Sequence, residues 1–557
     1  MTIGSAGKNR EEEKTTVKVK SRRVGIGGLY GNGGGTPSDD VTTNITIQGG
    51  ATVESESGSD PAIGADVGNV TIVIIKELKP TSIWHYFDAI TGVPRPSKKE
   101  ERIREFLLNF AKEQNLEVKV DKTGNVVITK EATPGCEGAP TVILQAHMDM
   151  VCEKNGDVKH DFERDPIETY IDGEWVKARG TTLGADNGIG MAAAMAVLAD
   201  KELKHGRIQA LFTVDEETGL TGAFGLESGM IDGKYLLNLD SEDEAEIFIG
   251  CAGGIDTTSA FTYKQEALPA GKFYLRVEVK NLLGGHSGGD IHLGRGNANK
   301  LLARFLWLCM QRHEVHLCAI DGGNLRNAIP REAMAVIAVN PEEKEAVRAE
   351  LNHYAADVAA ELSGVDPNVT VDMVTADTPE FMIEDKVARA LISALYAAPH
   401  GVIAMSHDIE GLVETSTNLA SVKMTEPGKI VVATSQRSSV ESEKYDIAYQ
   451  VECLFRLAGA EPSHGDGYPG WKPNMHSRIK DIAVEAYQEL YQQTPAIKAI
   501  HAGLECGLFL TKYPQLDMIS FGPTLRGVHS PDEKMHIPAV EKFWNHLVLI
   551  LEKVALE

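Results

Sequence analysis

Two side chains at the end of an apolar run set the chemical problem. In TVILQAHMDMVCEK, His147 and Asp149 follow the strand-forming residues 141–145. Neither group suits an apolar core, and each is costly to bury without a partner. Comparable groups recur where other apolar runs end. Asp186 follows ARGTTLGA and opens a run of small residues, Glu216 and Glu217 follow LFTVD, Asp240 follows LLNL, and His529 comes shortly after MISFGPTLRG. Each alone has an ordinary explanation as a wet strand end, a surface charge or a helix N-cap. Five such ends together point to a metal centre. Imidazole and carboxylate donors suit zinc, and a catalytic site leaves one position for water. Two neighbouring metals need a bridging carboxylate. A Glu-Glu pair can supply a ligand and a free general base side by side.

The elements that must position these groups read as an α/β protein from about Glu77. Strands are expected at NVVIT (125–129), TVILQA (141–146), IQALFTV (208–214), YLLNL (235–239) and MISFG (518–522). The run NGIGMAAAMAVLAD is small and apolar on all sides, as for a helix packed tightly on a sheet. Strands alternating with helices imply a mostly parallel sheet flanked by helices, with function at the carboxyl ends of its strands. In SKKEERIREFLLNFAKEQ, Ser97 followed by Glu100 predicts a capping box. The final helix presents Val540, Phe543, Leu547, Ile550 and Val554 on one face.

The stretch from 254 to 464 differs in texture. FYLRVEV alternates, NLASVKMTEPGKIVVATSQ reads as a hairpin turning at Pro-Gly, and 342–362 is an amphipathic helix. An α+β domain is therefore expected to be inserted between a first catalytic portion at 77–253 and a second at 465–557. Residues 1–76 form a Gly-rich appendage in which Asn-x-Thr-Ile recurs from Asn44 to Asn69, resembling turns of a β-solenoid.

The balance of 55 basic against 80 acidic residues, a formal charge of -25, speaks against nucleic acid or an anionic membrane as partner. Scattered cysteines without a CxxC, no transmembrane-length apolar run and no hydrophobic leader predict a cytoplasmic protein. His313 and His316 in RHEVHL lack the HExxH spacing and are expected to be structural.

The segments LQAHMDMVCEKN, ARGTTLGADNGIG, LFTVDEETGL, LLNLDSEDE, GGHSGGDIHLGRGN and FGPTLRGVHSPDE together resemble the M20 metallopeptidase family, in its aminoacyl-histidine dipeptidase (cytosolic non-specific dipeptidase) branch. The resemblance covers roughly 77 to 557. It implies a zinc-peptidase-like sheet with an inserted lid and dimerisation domain. It implies two Zn2+ per chain, for which Co2+ or Mn2+ could substitute. His147 and Asp240 would hold one ion, Glu217 and His529 the other, and Asp186 would bridge. Glu216 would be the general base, with Asp149 orienting His147. In the inserted domain His286 would stabilise the oxyanion, in its own subunit or a neighbour's. Arg437 would bind the substrate carboxylate, a task suited to a guanidinium fork, and Asn327 would help polarise the scissile carbonyl. The expected function is hydrolysis of dipeptides, including Xaa-His, by a homodimer-forming enzyme. An N-acyl amino acid hydrolase of the same fold, or a non-catalytic surface binding protein, are the alternatives.

Overall fold

The computed structural model describes residues 75–557 in full, with the backbone of three earlier strands, Thr2–Ala6, Lys14–Lys20 and Gly50–Ser55. The first two of these strands pair antiparallel, the last two parallel. The Asn-x-Thr-Ile repeat, and with it the solenoid-like reading of residues 1–76, otherwise lies outside the described residues.

The chain divides into two compact units. One comprises residues up to Ile247, Ser477–Ala496 and Gln515–Glu557; the other comprises Phe248–His476 and Ile497–Pro514. The sequence suggests that 465–557 stay together, whereas 465–476 and Ile497–Pro514 belong to the second unit. Hydrogen bonds explain this placement. The N–H of Ala252 donates to the carbonyls of Ile500 and Ala502, and Cys251 and Trp471 exchange backbone bonds at 2.9 Å.

In the first unit the strands Asp517–Ser520, Tyr235–Asn238, Val142–His147 and Ile208–Thr213 lie side by side and parallel. Val126–Lys130 and Glu117–Val120 continue the sheet antiparallel. The runs Val142–His147 and Ile208–Thr213 are buried along their whole length, as expected of parallel strands covered on both faces. Because these strands share a direction, their carboxyl ends fall on one edge, and each is followed by residues singled out above.

Helix Ala185–Ala199 packs on Val142–His147. Its small side chains let it lie close. A Cβ at Gly190 would come within 2.6 Å of the Leu239 carbonyl oxygen. Glycine at this position thus allows the helix carrying Asp186 to approach the strand end carrying Asp240. Helix Ile537–Val554 buries Val540, Phe543, Leu547, Ile550 and Val554, the face its periodicity predicts.

The capping box does not form. The helix runs Glu101–Glu113, and the Ser97 hydroxyl instead donates to Asp149 Oδ2 at 2.7 Å. Glu100 accepts the N–H of Lys98 and of Asp215. Ser97 is thus engaged by the distant, buried Asp149, and Glu100 by Lys98 beside it and by the distant Asp215.

The second unit is built on a nine-stranded antiparallel sheet. Its central hairpin pairs Val413–Glu426 with Lys429–Ser438 and turns at Pro427 and Gly428, where φ is +80° and glycine is favoured. Phe261, Leu275, Leu306, Ile337, Leu391, Val432 and Phe455 belong to its core. His313 lies between Glu343 and Glu350, and His316 pairs with Asp385. No helix among the described residues is long and apolar enough to cross a membrane.

Candidate metal centre and active site

The four parallel strands deliver their terminal groups to one small volume within the first unit. Asp186 presents one carboxylate oxygen to each of two imidazoles: Oδ1 lies 3.1 Å from His147 Nε2, and Oδ2 lies 3.1 Å from His529 Nε2. His147 Nε2 also faces Asp240 Oδ1 at 3.5 Å, and His529 Nε2 faces Glu217 Oε2 at 3.1 Å. Two groups of three donors result, His147–Asp186–Asp240 and Asp186–Glu217–His529, each with its donor atoms within 4.8 Å of one another. They share Asp186. Glu216 lies beside them and groups with His147 and Glu217.

The electrostatics fit divalent cations. Glu217 Oε1 is buried and accepts no hydrogen bond, and Asp240 Oδ1 has only the 3.5 Å approach of His147. Buried carboxylate oxygens without donors are unusual, and ordinary protein polar groups do not satisfy them here. Burial, with the charges of Asp186 and Glu217 adding to it, pushes Asp240 up to about 7 although His147 pulls it down. Asp186 and Glu217 push His529 up to about 11. Burial alone would lower His147, but Asp240, Asp149 and Asp186 outweigh it and hold it well above its ordinary value. A donor set of two imidazoles and three carboxylates, one shared, matches the chemistry of a dinuclear site.

Asp149 holds the far side of His147, its Oδ1 3.3 Å from Nδ1. It also accepts the N–H of Glu216 at 3.1 Å, the N–H of Glu217 at 3.2 Å and the Ser97 hydroxyl. Burial raises its pKa, but His147, Ser97 and the Glu216 amide bring it down to about 2. One carboxylate thus faces an imidazole and accepts from the start of the segment carrying both glutamates.

A second anchor lies beneath Asp186. Glu533 is 2% exposed and accepts four backbone N–H groups, of Leu183 (2.7 Å), Gly184 (3.0 Å), Ala185 (2.8 Å) and Asp186 (3.3 Å). The buried Arg95 donates to the carbonyls of Met148, Asp149 and Gly184, joining the turn after His147 to the one before Asp186.

The remaining residues of interest belong to the second unit. His286 Nδ1 accepts the N–H of Gly288 at 3.2 Å and of Gly289 at 3.0 Å. Accepting at Nδ1 puts the neutral ring's proton on Nε2, which is left as a donor. Burial and then the charge of Arg437 lower its pKa, favouring that neutral form. Asn327 is exposed, and its backbone carbonyl accepts the N–H of Ser287 at 2.8 Å, while Ala328 pairs with His286. Arg437 is buried on the strand Lys429–Ser438, and its Nη1 donates to Tyr468 Oη at 2.7 Å.

Comparison with known proteins fits this geometry. Residues 143–553 match the model of peptidase family M20/M25/M40. The chain belongs to this family.

Among M20 relatives, the cytosol non-specific dipeptidase of Escherichia coli (strain K12) is 45% identical over 480 residues, 86% of this chain and 99% of that protein. The crystal structure of aminoacylhistidine dipeptidase from Vibrio alginolyticus shares 47% identity with a TM-score of 0.81, covering 86% of this chain and 98% of that one. A tripeptidase from Staphylococcus aureus, 16% identical with a TM-score of 0.51 and covering 86% and 100%, shares the fold. The chain is a peptide-bond hydrolase of the metal-dependent kind.

Of the M20 site residues expected from sequence, His147, Asp149, Asp186, Glu216, Glu217, Asp240 and His529 come together in the first unit, and His286, Asn327 and Arg437 lie in the second. Sequence patterns give no sign of Glu533 and Arg95, and they place Ser97 only in a capping box. Glu533 in HSPDE looks like a surface charge, and its partners are backbone amides up to 350 residues away, which leave no mark in side-chain patterns. Tyr468 also went unnoticed, although the GYPG around it marks a constrained turn.

Proposed function

We propose that the chain is a dinuclear zinc dipeptidase. The observation that carries this reading is the pair of three-donor groups sharing Asp186, in a chain 45% identical to a cytosol non-specific dipeptidase over nearly that protein's whole length. His147 and Asp240 would hold one ion, Glu217 and His529 the other, with Asp186 between them. When bound, the metal pair supplies Lewis acidity and makes water a competent nucleophile at neutral pH.

The chain's own residues do the rest. Glu216 takes the proton of the attacking water and returns it to the leaving amine. Asp149 keeps His147 in register for its ion. His286 donates from Nε2 to the oxygen that gains charge in the tetrahedral transition state. Arg437 pairs with the C-terminal carboxylate of the dipeptide, and Asn327 assists at the scissile carbonyl. Dipeptides, Xaa-His among them, are the substrates; the native metal is zinc, replaceable by cobalt or manganese. Dimerisation through the second unit and a cytoplasmic address complete the proposal.

Zinc titration of chelator-stripped protein tests it, with hydrolysis followed on Xaa-His, other dipeptides, an N-acetylated dipeptide and a tetrapeptide. Activity on free dipeptides should return as zinc approaches two per chain. The Glu216→Gln variant should still bind both ions while kcat falls by about 10²–10⁴. Preference for the N-acetylated compound would reassign the enzyme as an acylase.

A further inference from the structure

Arg437 is a buried cation without a counter-ion. It is 7% exposed, forms no ion pair among the described residues, and its Nε is buried without a hydrogen-bond partner. Its contact with Tyr468 is through Nη1 alone. The neighbouring imidazoles supply no negative charge: the Arg437 charge helps to lower the pKa values of His286 and His501, and the latter is brought by burial first to about 3. A buried guanidinium left in this state calls for an anion from outside.

We propose that Tyr468 is a positioning residue that presents Arg437 to the substrate carboxylate and thereby makes the enzyme selective for peptides with a free C-terminus. This rests on reading Arg437 as the carboxylate binder. The sheet register makes room for the arrangement. Arg437 lies opposite Ser416 on one neighbouring strand and opposite Gly254 on the other. Ser416 Oγ is bonded to His501 Nε2 at 2.7 Å, which fills that side. On the other side Gly254 has no side chain, and a Cβ there would lie 2.7 Å from three atoms of the Tyr468 side chain. Gly503 flanks the same ring: a Cβ there would lie 2.8 Å from it.

The backbone of Tyr468 is equally constrained. Its N–H and carbonyl bond to Gly254 at 2.8 and 3.0 Å, and the carbonyl also accepts from the buried Lys444 at 2.8 Å. The phenol oxygen is thus a fixed point. By accepting one Nη1 proton it sets the plane of the guanidinium and leaves the edge carrying Nε for a bidentate carboxylate. Nothing in this arrangement touches the reacting carbonyl, so its signature is binding rather than chemistry.

The test compares the metal-loaded full-length enzyme with Tyr468→Phe and Gly254→Ala, the latter displacing the ring without removing its hydroxyl. Each is assayed on a dipeptide and on that dipeptide's C-terminal amide. Both variants should raise KM for the free acid about tenfold with kcat unchanged, and leave KM for the amide as in the parent. Equal effects on acid and amide, a fall in kcat alone, or no change in KM would overturn the role of Tyr468. If the parent cleaves neither compound, the dipeptidase reading fails separately. Calorimetric binding of the same two compounds then decides: a preference for the acid that Tyr468→Phe abolishes upholds the proposal, and no such preference or no loss of it overturns the proposal.

Discussion

The carboxylate of Glu533 sits under the backbone of Asp186, accepting its N–H and those of the three residues before it. Glu533 is also four residues beyond His529, so one side chain ties the segment carrying Asp186 to the segment carrying His529. An amide cannot accept four N–H bonds, because half of its polar end is itself a donor. Glu533→Gln is expected to weaken zinc binding by about 10- to 100-fold. Competition with a chromogenic chelator measures this, and circular dichroism checks that the fold persists; unchanged affinity would refute it.

His286 is held by the N–H groups of Gly288 and Gly289 in the tautomer that donates from Nε2. A donor that acts on charge developing in the transition state affects turnover more than binding. His286→Ala should therefore lower kcat by about 10²–10³ with little change in KM. A KM effect without a kcat effect would make His286 a substrate-binding group instead.

Zinc uptake should release protons. In the metal-free cluster Asp240 is raised to about 7 and His529 to about 11, while His147 is held well above its ordinary value. All three must be deprotonated to bind metal, so apparent affinity rises with pH through neutrality. Calorimetry near pH 7 in buffers of different ionisation enthalpy should show net proton release. A heat independent of buffer would contradict it.

Stability should fall on the acid side for a separate reason. Burial pushes His400 down to about 4, His501 to about 3 and His546 to about 4, against an ordinary value of 6.5. The unfolded chain therefore binds more protons between those values. The stabilisation is full above about pH 6.5 and is lost as pH falls toward the folded-state values, at about 1.4 kcal/mol per pH unit for each imidazole. His546→Gln, which keeps a donor for the Ala483 carbonyl, should flatten the dependence of Tm on pH between about 6.5 and 4.5. A slope equal to the parent's would show that His546 titrates normally.

Much of this was legible in the residues. His147, Glu217 and Asp240 stand where apolar runs end, and parallel strands bring such ends together regardless of their distance along the chain. Periodicity likewise revealed the buried face of Ile537–Val554. What sequence patterns missed shares one property: it depends on backbone groups or on contacts across the fold. Glu533 accepts from backbone amides, and Ser97 reaches across to Asp149 instead of capping its own helix. The place of Ile497–Pro514 in the second unit is carried by hydrogen bonds such as those from Ala252, which no side-chain pattern records.

The first unit is assembled from separated stretches of chain, and Asp186 and His529 are 343 residues apart with all of the second unit between them. During synthesis the ribosome must therefore make the inserted unit before the last donor exists. Domains form as they emerge, so this one waits, lacking both His529 and the Glu533 carboxylate that holds the Asp186 backbone. A growing or prematurely ended chain cannot bring His529 to Asp186. On the proposed function, hydrolytic power arrives only with a nearly finished protein.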